Sequence, residues 1–130
     1  VDDEAEVIEV IEQRIQWDDL GFTVVGNATN GVKALELVEK LQPDVVLTDI
    51  KMPYMDGLEL SRRLNRDFQN IHIIIFTGFD EFEYAKEAVY AMRSAHIVNG
   101  IGDNRFAPKM TATRAMAAKV IAEFMEGMNV

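Results

Sequence analysis

Two runs of nearly continuous apolar character constrain the fold more than any other feature of this sequence. They are VVLT at residues 45–48 and IHIIIF at residues 71–76. Neither run shows the strict alternation of apolar and polar residues that is typical of a half-exposed strand. Strands with continuous apolar character are buried on both faces, as in parallel sheets that helices cover on each side. The sequence therefore predicts an α/β domain with a parallel sheet.

Amphipathic patterns alternate with these runs. From Glu4 to Trp17, apolar residues recur at helical spacing among glutamates, and similar patterns follow later in the chain. The sequence predicts helices at 4–17, 30–42, 57–68, 80–93 and 111–128, and further strands at 21–28 and 95–100. No internal repeat or linker divides these elements, so we expect residues 1–130 to form one domain.

The amino-acid composition argues against several classes of function. The net charge of -9 argues against direct binding of nucleic acid or of anionic lipid. There is no cysteine, which excludes disulfides and thiolate chemistry and agrees with a reducing compartment. No apolar stretch approaches the ~20 residues that a membrane helix needs. We therefore expect a cytoplasmic protein that does not associate with membranes.

Polar residues follow several of the predicted strands. Asp49 ends one strand, Thr77 and Asn99 end two others, and Asp2 and Asp3 stand where a first strand would finish. In open α/β sheets, ligands bind outside the carboxyl ends of the strands. Carboxylates gathered at one edge repel each other, and a hard divalent cation such as Mg²⁺ relieves that repulsion.

Structural roles also account for these aspartates. Asp2 and Asp3 precede a helix, where an aspartate commonly acts as the N-cap. Asp49 precedes Pro53 by four residues, and an Asx turn would explain it. Each of these interpretations stays open when the residue is considered alone.

The order and spacing of three motifs resemble a known family. VDDE, TDIKMPYMDG and FTG are similar to the receiver domain of bacterial two-component response regulators, over Val1 to about Met92. WDDLGF and TGFDEFEYAKEAV look like the subgroup that is often attached to AraC-type DNA-binding domains. The resemblance implies a flavodoxin-like, doubly wound parallel sheet with strand order 2-1-3-4-5.

The resemblance also implies roles for individual residues. Asp49 would accept a phosphoryl group from a phosphohistidine of a sensor histidine kinase. Asp3 and Asp49 would hold Mg²⁺, with Asp2 assisting through water and the backbone carbonyl of Lys51 completing the protein ligands. Thr77 would contact the phosphoryl group and report phosphorylation to an output surface.

The amino end departs from the family pattern. Receivers have a buried apolar strand before the acidic pair, and here only Val1 precedes Asp2. Loss of this central strand would expose backbone donors and acceptors of its neighbours. We expect the first strand to be truncated or supplied from elsewhere, for example by strand exchange in a homodimer.

The last third of the chain departs as well. Asn99 falls at the position of the family's phosphoryl-contacting lysine, and His96 at that of an aromatic switch residue. Lys109 is a candidate substitute for the missing lysine. Residues 93–130 form an atypical fifth strand, loop and last helix, which suggests an engineered or recombined chain.

These departures leave more than one function open. The leading interpretation is a phosphoacceptor switch that is not an enzyme beyond slow loss of its own phosphoryl group. The alternative is a receiver-like module that no longer signals, because Asn99 replaces the lysine and the tail is altered. A metabolic enzyme with a phosphoaspartate intermediate lacks an acid or base beside the nucleophile.

Overall fold

The computed structural model describes residues 1–77, 79–92 and 95–99. The predicted last helix at 111–128 and Lys109 lie outside these residues. The elements are α1 (Ala5–Arg14), a 3-10 turn (Asp18–Leu20), α2 (Gly31–Leu41), β1 (Val45–Thr48), α3 (Gly57–Asp67), β2 (His72–Thr77), α4 (Phe79–Tyr90) and β3 (Ala95–Asn99). Helices and strands alternate as the sequence predicts.

The three described strands form one parallel sheet in the order β1-β2-β3. Val45 lies opposite His72 at the start of the first pair, and Thr77 lies opposite Asn99 at the end of the second. Because the strands are parallel, their carboxyl ends meet at one edge of the sheet. This edge is where the sequence places its polar residues.

The prediction of a strand at residues 21–28 is wrong. Residues 22–28 form no strand, and Val24 and Val25 are 43% and 57% exposed. The single backbone bond from this segment to the chain's first residues joins the N–H of Asp2 to the carbonyl of Ala28 at 3.2 Å. A strand forms only where a neighbouring strand completes its ladder of hydrogen bonds. Within the part of the chain that the structure describes, this segment has such a neighbour only at Ala28.

Two apolar layers cover the sheet, one on each face. Ile73 and Ile75 of β2 pack into the cluster formed with α2, α3 and α4, whereas Ile74 and Phe76 pack against α1. Successive side chains of a strand point to opposite faces, so both sets are buried. This explains why the run at 71–76 has no polar alternation.

Helix α3 begins close to the carboxyl end of β1 and has a well-formed cap. The side chain of Asp56 accepts a hydrogen bond from the N–H of Glu59 at 2.8 Å, which is an N-cap interaction. The cap fixes where the loop after Asp49 returns into a helix.

Candidate functional site

Asp49 follows β1 directly and is held by backbone bonds. Its N–H donates to the carbonyl of Val1 at 3.0 Å, and the amino group of Val1 donates to the carbonyl of Leu47 at 2.6 Å. Its side-chain Oδ1 accepts from the N–H of Ile50 at 2.7 Å. These contacts leave Oδ2 of Asp49 available for chemistry at the sheet edge.

Gly57 packs against the backbone of Asp49 with no space for a side chain. Its N–H donates to the carbonyl of Ile50 at 2.7 Å. A Cβ placed on Gly57 would lie 1.9 Å from the carbonyl oxygen of Asp49. The glycine therefore permits the tight return from Asp49 into α3.

We expect Gly57→Ala to destabilise the domain by about 2 kcal/mol or more, because the new methyl group must displace backbone atoms beside Asp49. Urea denaturation measures the effect. Gly26→Ala is the matched control, since its Cβ would meet only the ends of two side chains, Leu41 at 3.1 Å and Leu37 at 3.9 Å. Equal stability of the two variants would contradict the role assigned to Gly57.

Asp2, Asp3 and Asp49 form an acidic cluster. One carboxylate oxygen from each lies within 4.8 Å of the others. Asp2 is 1% exposed, Asp49 is partly buried and Asp3 is exposed. Oδ1 of Asp2 accepts from the N–H of Glu4 at 2.8 Å, whereas its Oδ2 is buried and has no hydrogen-bond partner among the described residues. A buried carboxylate oxygen without a partner is costly, so the cluster is incomplete as a purely structural feature.

The structural alternatives for these residues hold in part. Oδ1 of Asp2 accepts from the N–H two residues on, which is the spacing of an Asx turn. The Asx turn expected at Asp49 is not the bond observed, because its Oδ1 accepts from the N–H of the next residue, Ile50. The residue at the N-cap of α1 is Glu4, whose side chain makes no capping bond, so the aspartates are not its N-cap. Each local bond uses one carboxylate oxygen and leaves the other.

Burial sets the proton affinity of the cluster. Burial raises the pKa of Asp2 from its ordinary value of 3.8 to about 7, with the negative charge of Asp49 contributing further and the N–H of Glu4 opposing it. Burial likewise raises the pKa of Asp49 to about 6, with Asp3 and Glu81 contributing and the N–H of Ile50 opposing it. At neutral pH the two carboxylates thus compete for a proton or a cation.

These shifts predict how stability depends on pH. Between about pH 4 and pH 7 the folded state binds protons at Asp2 and Asp49 more tightly than the unfolded state does. Their contribution to the free energy of unfolding therefore falls as pH rises through this window. Burial lowers the pKa of the Val1 amino group to about 6, and this shift opposes the decrease above about pH 6. Denaturation at about pH 5 and about pH 6 in a chelator should therefore show the decrease, and added Mg²⁺ should reduce it. Stability that rises with pH in the chelator would contradict the raised pKa values.

An ion pair joins the loop after Asp49 to α4. Nζ of Lys51 lies 2.8 Å from Oε1 of Glu81, and this contact holds the pKa of Glu81 below its ordinary value. The sequence motifs imply a role only for the backbone carbonyl of Lys51 and give no sign of Glu81. Lys51 and Glu81 lie 30 residues apart in the sequence, and no local pattern signals their pairing.

The remaining predicted residues lie at β2 and β3. Thr77 and Asn99 are Cα partners at the carboxyl ends of these strands, and His96 is the partner of Ile74. Their side chains lie outside the described part of the structure. The roles assigned to Thr77, Asn99 and His96 therefore stay predictions, although the backbone brings Thr77 and Asn99 side by side.

Comparison with known proteins defines the family. The model of the response regulator receiver domain matches residues 1–107, so the chain belongs to this family. The match continues beyond Met92, where the sequence motifs quoted above end. Receiver domains are in general signalling modules rather than enzymes, and they work with sensor histidine kinases.

Curated relatives include transcriptional regulators. The chain is 43% identical over 88 residues to the uncharacterized transcriptional regulatory protein YesN of Bacillus subtilis, covering 68% of the chain and 24% of that protein. It is 36% identical over 88 residues to the transcriptional regulatory protein HptR of Staphylococcus aureus, covering 68% of the chain and 34% of that protein. The chain thus spans about a quarter to a third of the length of these relatives.

Solved structures agree on the fold. The receiver domain of AraT, a response regulator from Geobacillus stearothermophilus, is 34% identical with a TM-score of 0.68, over 98% of this chain and 93% of that one. The receiver domain of Thermotoga maritima CheB gives a TM-score of 0.74 at 24% identity, over 99% and 92% of the two chains, and supports the fold alone. The fold is the flavodoxin-like α/β fold. Within the described residues, no helix has the length and apolar character to cross a membrane.

Proposed function

We propose that this chain is a Mg²⁺-dependent phosphoacceptor domain of a two-component system, with Asp49 as the residue that is phosphorylated. The observation that carries the proposal is the acidic cluster, in which Asp49 lies beside the buried, incompletely bonded Asp2. The sensor histidine kinase is the donor. The chain matches only a minor part of the length of each curated relative. That the whole protein regulates transcription is therefore also a proposal.

The donor set fits a hard cation. Three carboxylate oxygens lie within 4.8 Å of one another, and oxygen ligands are those that Mg²⁺ prefers. Asp3 and Asp49 would hold the ion, Asp2 would assist through water, and the carbonyl of Lys51 would complete the protein ligands. A bound cation supplies the positive charge that offsets the charge of the phosphoryl group during transfer.

The transfer itself is a substitution at phosphorus. A carboxylate oxygen of Asp49 forms a new P–O bond while the P–N bond of the phosphohistidine breaks, and the imidazole nitrogen keeps the electron pair. Asp49 must be deprotonated to act as nucleophile. The hydrogen bond from Ile50 to Oδ1 orients the carboxylate and leaves Oδ2 as the attacking atom.

The experiment that tests the proposal uses acetyl phosphate as donor and the intact chain as acceptor. Mass spectrometry should show the addition of one phosphoryl group with Mg²⁺ and little or none in a chelator. A chain that stays unmodified with Mg²⁺ would favour the alternative, a receiver-fold module that no longer signals.

Asn99 provides a further test of this mechanism. A phosphorylated Asp49 brings roughly two negative charges to a site that already holds Asp2 and Asp3. Asn99 lies at the end of β3 beside Thr77 and offers only a neutral donor. We expect Asn99→Lys to increase the extent of phosphorylation and the accompanying amide shifts at Thr77 and His96, measured by NMR. Asn70→Lys is the control, because it adds the same charge at the exposed turn before β2. An equal effect of both variants would contradict the placement of Asn99.

A further inference from the structure

A cavity of about 510 Å³ lies between the loop after β1 and the start of α4. We call it the loop cavity. The residues that line it include Asp3, Lys51, Glu81 and Tyr84. Because Asp3 also belongs to the acidic cluster, the loop cavity reaches the cluster that contains Asp49.

Lys51 is the one cation among the described residues that line the loop cavity, whereas Asp3, Asp56 and Glu81 are carboxylates. Nζ of Lys51 lies 2.8 Å from Oε1 of Glu81. The Lys51 side chain is 77% exposed, and that of Glu81 is 24% exposed. The ammonium group of this loop is therefore held against the first turn of α4, on a residue only two positions after Asp49.

This ion pair can be broken at little cost. Exposed ion pairs contribute little to stability, because water solvates both partners and pairing restricts their side chains. The lysine stem is flexible and its ammonium group has three donors, so it can turn to another acceptor. The backbone of the loop need not move, since the N–H of Gly57 holds the carbonyl of Ile50 at 2.7 Å.

Phosphorylation of Asp49 would supply a stronger acceptor on the same loop. A phosphoryl group carries roughly two negative charges at neutral pH and three acceptor oxygens, whereas Glu81 carries one negative charge. The charge of Glu81 contributes to the raised pKa of Asp49, so the two carboxylates lie within electrostatic range of each other. An ammonium group that reaches Glu81 from residue 51 is thus placed where both acceptors compete for it.

We propose that Lys51 exchanges partners on phosphorylation: its ammonium group leaves Glu81 and binds the phosphoryl oxygens on Asp49. This inference rests on the proposed function and adds a role for the Lys51 side chain in it. The exchange neutralises part of the phosphoryl charge. It also releases Glu81, so that the first turn of α4 loses its ion pair with the loop when Asp49 is phosphorylated.

Amide hydrogen exchange in α4 tests the release. The experiment uses the intact chain with Mg²⁺, with and without acetyl phosphate, and follows the amides of residues 83–85. In the unaltered chain we expect phosphorylation to speed their exchange by about threefold or more. Glu81→Gln lacks the ion pair from the start, so its exchange should be fast already and should change little on phosphorylation. An equal response of the two chains would overturn the proposal.

Two variants break the same ion pair from opposite sides. Lys51→Met removes the cation and should lower the phosphorylated fraction at steady state by about threefold or more, measured by intact mass spectrometry. Glu81→Gln keeps the cation and removes the competing acceptor, so it should raise that fraction. An ion pair that only stabilises the fold would give both variants the same effect. An equal decrease in both would therefore overturn the partner exchange.

Lys86→Met is the matched control. Lys86 pairs with Glu83 on α4 at 2.6 Å and does not line the loop cavity, so the phosphorylated fraction should stay the same. A decrease equal to that of Lys51→Met would overturn the inference, because loss of any nearby positive charge would then explain it. If the unaltered chain is not phosphorylated, the proposed function is overturned and this inference with it. If that chain is phosphorylated and Lys51→Met has no effect, this inference alone is overturned.

Discussion

Asp49→Asn is expected to abolish phosphorylation of the chain by acetyl phosphate. The amide oxygen still accepts the N–H of Ile50, so the loop retains its local bond, but an amide is not a nucleophile toward phosphorus. The loss should be complete within the detection limit of intact mass spectrometry. Thermal unfolding of the variant in parallel verifies that the fold survives.

Asp56→Asn is the matched control for this experiment. Asp56 is an exposed carboxylate on the same loop, and its side chain caps α3. Asparagine is an equally good N-cap, so both stability and phosphorylation should be retained. Residual phosphorylation of Asp49→Asn, with loss in Asp56→Asn, would place the acceptor on Asp56 instead.

Asp2→Asn is expected to stabilise the metal-free domain at about pH 8 and to reduce its stabilisation by Mg²⁺. In the absence of metal, an ionised Asp2 is buried with one oxygen unsatisfied. Removing that charge should raise the free energy of unfolding by about 1 to 3 kcal/mol, because the new amide can donate to the neighbouring carboxylates. Urea denaturation with and without Mg²⁺ measures both effects.

Asp3→Asn distinguishes the effect on metal-free stability from the effect on stabilisation by Mg²⁺. Asp3 is exposed, so its charge has little desolvation cost, and its replacement should change metal-free stability by no more than about 0.5 kcal/mol. It should nevertheless weaken the Mg²⁺ effect, because Asp3 belongs to the same cluster. If Asp2→Asn destabilised the metal-free domain, burial of Asp2 would have to be compensated by contacts other than those described.

The sequence predicted the elements whose patterns depend on local burial. The runs at 45–48 and 71–76 became β1 and β2 because each is covered on both faces, and the helical patterns became α1 to α4. The gathering of Asp2, Asp3 and Asp49 also followed from sequence, since parallel strands bring their carboxyl ends together. The positions of the acidic motifs at the predicted strand ends were sufficient to predict that these three aspartates lie close together.

Features that depend on distant partners were not predictable in the same way. The segment at 21–28 has the composition of a strand, but strand formation requires a neighbour that its own residues do not specify. The Lys51–Glu81 ion pair depends on how α4 docks beside the loop after Asp49. The buried, unsatisfied oxygen of Asp2 depends on packing from several elements.

The Lys51–Glu81 ion pair has a thermodynamic consequence for signalling. Glu81 contributes to the raised pKa of Asp49, and its carboxylate is held by a lysine two residues after Asp49. A partner that binds α4 and engages Glu81 would alter the charge environment of Asp49. By linkage, the phosphorylation proposed for Asp49 would then change the affinity of that partner by the same factor by which the partner changes phosphorylation. Because the Lys51 side chain is exposed, salt screens its interaction with Glu81. The coupling between the partner and Asp49 should therefore change with ionic strength.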